Sequence, residues 1–323
     1  MPSSKSKRIL LGPHTALIHG ISDSDFYFRD DVREHMEPEF QCIANTIISA
    51  DSICVDIGAN IGIKTFVMAK SAKDGCVLAV EAGPTVLETL RLNITNNKLD
   101  NVVVVNAAVT DKMTTVRFRD NSAHGYIVAD DDKSSGTEVP GITLEELFDS
   151  HLGQQAESGK VYFVKIDTEG HEYKILKNAA SVFLTYNPWL FFEFNSFCLA
   201  ALGDTPPQEM LKWVFSNFKY VFRVEKNALD TGKAVLLRVS SDDLVMLLHD
   251  NIAYHKVDDF LVTNRESALH EVRDLLLPNP LQKQLDMALG QLRSIQMSRS
   301  YRYTAPFRAI FGFLRRMKRL VEH

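Results

Sequence analysis

Residues 53–65 read ICVDIGANIGIKT, a short apolar run that ends in an acid and continues into a loop of glycine and asparagine. An apolar run of this length predicts a β-strand, the glycines predict a tight turn, and the apolar residues that follow are spaced as in a helix. Strand, turn and helix together are typical of an α/β domain. Turns of this kind often hold a nucleotide, so the nature of that ligand is the first question.

Three ligands compete for this loop. The dinucleotide fingerprint GxGxxG needs glycines where the chain has Gly58, Asn60 and Ile63, and a P-loop needs a glycine where Ile63 stands. The S-adenosylmethionine loop has the form acid-x-Gly-x-Gly-x-Gly, whose places are taken by Asp56, Gly58, Asn60 and Gly62. Asparagine tolerates the left-handed backbone that glycine would supply. Asp56 is expected to attract the ligand's positive charge, and a tight turn without a ligand is the structural alternative.

Two further strand ends extend the predicted cofactor site. Glu81 ends the apolar run VLAVE, where a carboxylate can accept both ribose hydroxyls. An NAD enzyme also uses an acid at this place, so Glu81 does not separate the two cofactors. Asn106 and Ala107 end the run VVVVNA, and the adenine ring is expected against this strand. An amide in such a position is often only a turn former.

The rest of the chain repeats the alternation of strands and helices. Strand-length apolar runs occupy residues 53–58, 76–82, 102–109, 161–167 and 189–195, with two more after Phe222 at 233–239 and 259–264. Segments of helical period separate the first runs, at 62–73, 85–97, 172–184 and 207–218. This pattern predicts an α/β fold with a mostly parallel sheet covered by helices on both faces.

The domain organisation follows from changes in composition along the chain. Residues 1–50 precede the first clear strand and are interpreted as a cap over the ligand site, residues 51–265 as the catalytic domain, and residues 266–323 as a helical, basic amphipathic extension. No internal repeat is visible.

Composition narrows the class of function. The 323 residues carry a formal net charge of −5 with a pI near 6.1, so no overall basic field favours nucleic acid as a partner. The four cysteines form no CxxC pair, which argues against a disulfide framework and a zinc site and favours a reducing cytoplasm. No uncharged run approaches the length of a membrane span.

Four motifs carry a family resemblance. VDIGANIG, VEAGP, NAAVTD and KIDTEGHE, in that order, resemble the FkbM family of S-adenosylmethionine-dependent methyltransferases over residues 51–264. The resemblance implies a Rossmann-like, seven-stranded methyltransferase sheet. It also implies O-methylation of a sugar or a natural product.

Acidic residues follow two neighbouring strands. Asp167 and Glu169 come after VYFVKI, and Glu193 comes after WLFF. If both strands end at one level, the three carboxylates face one crevice, where they suit either Mg²⁺ or a general base for the acceptor hydroxyl. The structural alternative is that Asp167 and Glu169 cap the following helix.

Nearby titratable residues are weaker candidates for catalysis. Glu172 is expected in the first turn of the helix, where an acid is stabilised by the helix dipole. His171 is a candidate base because the pKa of a histidine lies near neutrality, although a solvated loop histidine explains it equally well. His124, in the run NSAHGYIV, is weaker still.

The C-terminal stretch 298–319, SRSYRYTAPFRAIFGFLRRMKR, resembles a segment of bacterial enzymes that assemble surface polysaccharides. As a helix it would be basic and amphipathic, suited to the inner face of the plasma membrane, to a glycosyltransferase or to its own domain. Upstream, a leucine spacing is consistent with a helical seam between two copies of the chain. Its members are Leu276, Leu281, Leu285, Leu289 and Leu292.

Together these features predict an S-adenosylmethionine-dependent O-methyltransferase that acts on a sugar hydroxyl of a glycan, in bacterial surface polysaccharide biosynthesis. Three alternatives stay open: a methyltransferase for a small natural product or lipid, a nicotinamide oxidoreductase, and a non-catalytic cofactor-binding scaffold for glycosyltransferases.

Overall fold

The computed structural model describes residues 6–21, 36–120, 124–128, 136–153, 161–226, 232–254 and 257–276. The amphipathic segment predicted at 298–319 and the leucine seam beyond Leu276 lie outside these residues. The membrane, partner and oligomer predictions made from them therefore stay predictions, as does the division of the chain at 50/51 and 265/266.

Strands and helices alternate along the described chain. The strands are β1 (Ser6–Leu11), β2 (His14–His19), β3 (Ile53–Ile57), β4 (Cys76–Glu81), β5 (Val102–Asn106), β6 (Ala108–Val109), β7 (Thr114–Arg119), β8 (Tyr126–Ile127), β9 (Thr137–Ile142), β10 (Val161–Ile166), β11 (Trp189–Phe194), β12 (Tyr220–Glu225), β13 (Val235–Arg238) and β14 (Asp258–Thr263). The helices are α1 (Pro38–Ile47), α2 (Ile63–Ser71), α3 (Pro84–Asn96), α4 (Leu144–His151), α5 (Glu172–Asn178), α6 (Ala180–Tyr186), α7 (Ser196–Ala201), α8 (Pro207–Asn217), α9 (Leu244–Ala253) and α10 (Ala268–Glu271).

The central sheet has the order β13-β12-β14-β11-β10-β3-β4-β5. Strands β5, β4, β3, β10 and β11 are parallel neighbours, whereas β14 runs antiparallel between β11 and β12. This is the order of a doubly wound Rossmann sheet in which two strands, β14 and the edge strand β13, run against the others. The predicted α/β class, with a large and mostly parallel sheet, is confirmed.

The sheet carries one strand more than the seven expected. The run KAVLLRV forms the edge strand β13. The strand beside it, β12, is not among the strands that the sequence predicts. Its residues YVFRVE contain Arg223, which interrupts the apolar pattern. In the structure Arg223 is buried and its Nε lies 3.1 Å from Asp258 Oδ1, so a paired charge occupies an interior position that hydrophobic periodicity cannot reveal.

Side chains alternate along each strand, and those on both faces of the sheet pack into apolar clusters. Along β3, Ile53, Val55 and Ile57 join one apolar cluster and Cys54 joins the other. The second cluster also holds residues of α1, α2 and the β1–β2 hairpin. Among the described residues, no helix is both long and apolar enough to cross a membrane.

Segments on either side of the predicted catalytic domain contact it. The hairpin backbone donates from Leu17 and His19 to the Asn97 and Asn93 side-chain oxygens at 2.8 and 2.7 Å. Leu275, which follows β14, accepts a hydrogen bond at its carbonyl oxygen from the backbone N–H of Leu236 in β13, at 2.8 Å. The hairpin is therefore bonded to the C-terminal part of α3, and the segment after β14 is bonded to the edge strand β13.

Candidate active site

A cavity of about 250 Å³ opens at the carboxyl ends of the central parallel strands. Its walls come from the β3–α2 loop, the ends of β4, β10 and β11, and the small sheet that follows β5. The lining residues are Glu37, Ile57, Gly58, Ala59, Asn60, Ile61, Ile63, Lys64, Val80, Glu81, Ala82, Val86, Ala107, Ala108, Val109, Phe118, His124, Gly125, Ile127, Lys165, Asp167, Thr168, Glu169 and Glu193.

The glycine loop takes the left-handed conformations that its residues permit. The φ angles are 76° at Gly58, 53° at Asn60 and 93° at Gly62. A Cβ on Gly58 would lie 1.9 Å from the carbonyl oxygen of Asp167, so no other residue fits there without movement of the backbone. Asn60 occupies the left-handed region in place of glycine, as its short polar side chain allows.

Glu81 joins the loop to the end of β4. One of its carboxylate oxygens accepts from the Asn60 N–H and the other from the Gly83 N–H, both at 2.8 Å. Burial raises the pKa of Glu81, and these two hydrogen bonds partly oppose that effect. The carboxyl lines the cavity, and since each oxygen can accept more than one hydrogen bond, it can still bind a ligand.

Lys165 is a part of the site that the sequence-based prediction missed. Its Nζ lies 3.0 Å from Asp56 Oδ1 and donates to the carbonyl oxygens of Gly58 and Ile57 at 2.6 and 3.2 Å. Lys165 and Asp56 are direct partners on adjacent strands β10 and β3. The only sequence signal was a lysine inside an otherwise apolar strand.

The structure places Asp56 beneath the loop rather than in the cavity wall. Its side chain is fully buried, it accepts from Thr65 Oγ1 at 2.6 Å, and its charge is balanced by Lys165. The carboxylate expected to attract the ligand's charge is thus already paired within the protein. Asp56 holds Lys165, which in turn donates to the backbone at the start of the loop.

Asp167 reaches the cavity between two lysines. Its Oδ2 lies 3.5 Å from Lys64 Nζ and 3.7 Å from Lys165 Nζ. Burial would raise the pKa of Asp167, but the two lysines outweigh it and lower the pKa. Burial would likewise lower the pKa of Lys64, yet the carboxylates of Glu37 and Asp167 hold it well above its usual range. Asp167 is therefore an ionised, paired carboxylate.

Glu193 behaves in the opposite way. It lies beside Asp259 across β11 and β14 and lines the same cavity. Burial, followed by the negative charges of Asp167 and Asp259, raises the pKa of Glu193 well above its usual range. Two acids whose environments move their pKa values apart are typical of a site that handles protons.

Glu169 completes the predicted acid set and brings an additional residue with it. It has a left-handed backbone, with φ of 52°. Its Oε1 lies 2.9 Å from Nδ1 of His124, and its Oε2 accepts from the Cys198 thiol at 3.3 Å. The structure thus places His124, the weakest candidate of the sequence, at the cavity.

His171 and Glu172 lie next to these acids in sequence but outside the cavity lining. His171 is buried at the start of α5, and burial, reinforced by Lys174, lowers the pKa of His171 to about 4. Glu172 accepts from the N–H groups of Thr168 and Gly170 at 2.6 and 3.0 Å. Burial raises the pKa of Glu172 to about 7. The helix-terminus role expected for Glu172 is what the structure shows.

The two residues expected near adenine separate. Ala107 lines the cavity, whereas Asn106 does not. The Asn106 amide donates to the carbonyl oxygens of Glu81 and Ala82 at 2.9 and 3.2 Å. Its side chain thus ties β5 to the turn after β4, which is the structural role that an amide after a buried strand often has.

The residues do not fit the magnesium site that the sequence suggested for Asp167, Glu169 and Glu193. Within the described part of the chain, no group of three or more His, Cys, Asp or Glu side chains is arranged to hold a metal ion. Asp167 faces Lys64 and Lys165, and Glu169 contacts His124 and Cys198. A cation at this position would have to displace those partners.

The chain can be compared with solved structures. The chain is similar to a SAM-dependent O-methyltransferase from Thermotoga maritima, at 13% identity over 73% of this chain and 67% of that one, with a TM-score of 0.38. Precorrin-6y C5,15-methyltransferase from Geobacter metallireducens matches at 11% identity, 69% and 87% coverage and a TM-score of 0.36. TYW2 from M. jannaschii, in complex with AdoMet, matches at 14% identity over 80% of this chain and 85% of that one, with a TM-score of 0.36. These likenesses are distant.

Sequence comparison is more specific. A search of curated proteins finds no significant match. Residues 56–224, more than half of the chain, match the family described as the methyltransferase FkbM domain. This match begins at Asp56, spans the glycine loop, Glu81 and the acids of β10 and β11, and ends in β12. The chain therefore belongs to the FkbM-domain methyltransferase family.

Proposed function

We propose that this methyltransferase uses S-adenosylmethionine to O-methylate a sugar hydroxyl of a glycan, in the biosynthesis of a bacterial surface polysaccharide. In this proposal the enzyme works in the cytoplasm, where its C-terminal segment contacts the inner face of the plasma membrane or a glycosyltransferase. A methyltransferase for a small natural product or lipid is the alternative within the same family.

The charge of the cavity wall is the observation that favours S-adenosylmethionine over a dinucleotide. Among the described lining residues there are two lysines, which are already paired with Glu37 and Asp167, and five acidic side chains: Glu37, Glu81, Asp167, Glu169 and Glu193. Such a wall disfavours the pyrophosphate of a dinucleotide and favours a ligand that carries ammonium and sulfonium charges. The same loop also lacks the glycines that a dinucleotide would need.

The residues present fit this cofactor. The backbone of Gly58 and Asn60 allows close approach to the methionine part, Glu81 can accept the ribose hydroxyls, and the apolar Ala107 lines the cavity where adenine would pack. When bound, the cofactor supplies an activated methyl group. The chain's own task is to align an acceptor hydroxyl and to take up its proton.

The acid wall supports a hydroxyl-rich acceptor. Asp167, Glu169 and Glu193 come from two neighbouring strand ends and all line the cavity. Carboxylate oxygens accept hydrogen bonds from hydroxyl groups, and several on one wall can hold a sugar in one orientation. An apolar acceptor would remove water from these groups and offer no hydrogen bonds in its place.

Transfer of a labelled methyl group to a panel of bacterial glycans tests the proposal. The parent protein is expected to label at least one glycan. Asp167→Asn is expected to bind the cofactor but to lower the transfer rate by about 10–100-fold, the loss expected when a charge-assisted hydrogen bond that orients the acceptor is removed. The matched control is Asp149→Asn, an exposed acid on α4. Transfer by folded Asp167→Asn at the parent rate would remove this residue from the acceptor site.

A flotation experiment tests the location. The full chain and a form ending before Ser300 are mixed with anionic vesicles. The full chain is expected to float with the vesicles, and the shorter form is expected to stay in solution. Equal behaviour of the two forms would contradict the membrane contact.

A further inference from the structure

The position of His124 is defined by the small sheet beside the cavity. It precedes β8, which pairs antiparallel with β7 through Phe118 and Ile127. A Cβ on the adjacent Gly125 would lie 2.7 Å from the ring of Phe118, so the backbone packs directly on this buried side chain. His124 itself is 71% exposed and lines the cavity. The small sheet thus presents an exposed imidazole at the cavity.

The contact with Glu169 defines which nitrogen can accept a proton. Nδ1 of His124 lies 2.9 Å from Glu169 Oε1. A carboxylate only accepts hydrogen bonds, so the proton of the neutral ring is on Nδ1 and the lone pair is on Nε2. The Cys198 thiol donates to the other oxygen of Glu169 at 3.3 Å and holds the carboxylate in place.

The neighbouring acids are less suited to the same task. Asp167 is compensated by Lys64 and Lys165, which makes it a weak base. Burial, followed by the negative charges of Asp167 and Asp259, raises the pKa of Glu193 well above its usual range, which favours the protonated form that cannot take up a proton. An imidazole oriented by a carboxylate is a common arrangement for a general base near neutral pH.

We propose that His124 is the general base for the acceptor hydroxyl and that Glu169 is its positioning residue. This inference rests on the proposed function and deepens it. The acceptor oxygen forms a bond to the methyl carbon while its O–H bond breaks and the proton passes to Nε2. The electron pair of the broken C–S bond stays on sulfur. The products are a methyl ether, S-adenosylhomocysteine and an imidazolium, which releases its proton to solvent.

Nitrogen NMR of histidine-labelled protein tests the arrangement without turnover. His124→Gln assigns the signal, and spectra are recorded at an alkaline pH where the imidazole is neutral. The parent is expected to show a protonated Nδ1 and an unprotonated Nε2. Glu169→Gln is expected to lose this preference, whereas Glu145→Gln, an exposed acid of α4, is expected to retain it. A parent ring protonated on Nε2 overturns the proposal.

Single-turnover transfer to the glycan panel tests the catalytic step. His124→Gln is expected to lower the rate by about 10²–10⁴-fold, and His151→Gln, an exposed histidine of α4, is expected to leave it unchanged. Transfer by His124→Gln at the parent rate overturns the proposal. If no glycan is labelled, the nitrogen spectra decide alone.

Calorimetry with S-adenosylmethionine separates this inference from the proposed function. His124→Gln is expected to bind the cofactor like the parent, because the residue acts on the acceptor. Absence of binding by the parent refutes the proposed function, whereas parent binding with a contrary NMR or transfer result refutes only the role of His124.

Discussion

The two walls of the cavity are built in different ways. The loop wall consists of contiguous backbone, Gly58 to Gly62, tied to Glu81 by an N–H hydrogen bond from Asn60. The acid wall, formed by Asp167, Glu169 and Glu193, is joined by His124. These residues come from three separate segments and interact through their charges. A wall made of backbone can be predicted from one short stretch of sequence, whereas a wall made of charges depends on strand register and on distant partners.

Lys165 connects the two walls. It pairs with Asp56 below the loop, donates to the carbonyl oxygens of Gly58 and Ile57, and lies 3.7 Å from Asp167. A single buried ammonium group therefore stabilises the loop and the first residue of the acid wall. Substitutions that affect one wall or both can separate these contributions.

Lys165→Met should have the largest effect on stability. The side chain of Lys165 is 3% exposed and that of Asp56 is 0% exposed, so the substitution leaves a buried carboxylate without its cation. We expect the free energy of unfolding to fall by about 3–5 kcal/mol in urea titrations. The exposed Lys73→Met is the control, and adding Asp56→Asn to Lys165→Met should recover part of the loss. A loss as small as that of Lys73→Met would show that the pair does not stabilise the loop.

Gly58→Ala should cause the next largest loss in the free energy of unfolding, because it changes the loop wall. A Cβ would lie 1.9 Å from Asp167 O, and φ is +76°. Left-handed strain and overpacking together should cost about 2–4 kcal/mol. Gly232→Ala is a matched control, since its φ is +70° but nothing lies within 4 Å of the added Cβ. Equal losses in thermal or urea unfolding would mean that strain alone, without the clash, explains the effect.

These differences explain what the sequence could predict. Strand β3, the glycine loop and Glu81 follow local patterns, so their fold and place at the cavity were predictable. Lys165 was missed because its partner, Asp56, is brought to it only by the register of two strands distant in sequence. Arg223 concealed β12 for a similar reason, since its partner Asp258 is on another strand.

His124 shows the same limit at the acid wall. No local pattern links it to Glu169, and the contact appears only when the residues before β8 and the residues after β10 meet at the cavity. His171 misled the interpretation in the opposite direction, because adjacency to the acids in sequence does not bring it to the cavity. Neighbouring residues at the end of a strand point to different surroundings.

His171 and Glu172, two buried neighbours in sequence beside the acid wall, predict opposite changes in the free energy of unfolding with pH. The pKa of Glu172 is raised to about 7, so the folded protein binds this proton between pH 4.5 and 7, and its contribution to stability falls as pH rises through that window. The pKa of His171 is lowered to about 4, so only the unfolded chain binds that proton between pH 6.5 and 4, and its contribution falls as pH falls.

The two contributions should nearly cancel in the parent and separate in the variants. Between pH 4.5 and 6.5, the stability of His171→Gln should fall as pH rises, and that of Glu172→Gln should fall as pH falls, each relative to the parent. The total change should be at most about 3 kcal/mol per residue. Urea titrations across this range measure it, and slopes of the same sign in both variants would contradict the opposed burial effects.

Calorimetric titration with S-adenosylmethionine tests the central claim most directly, namely that the loop wall and Glu81 form the cofactor site. The parent should bind, Glu81→Gln should weaken binding by about 1–3 kcal/mol through loss of a charge-assisted hydrogen bond, and Glu209→Gln, an exposed acid of α8, should bind like the parent. Absence of binding by the parent, or equal affinity of folded Glu81→Gln, would contradict the account.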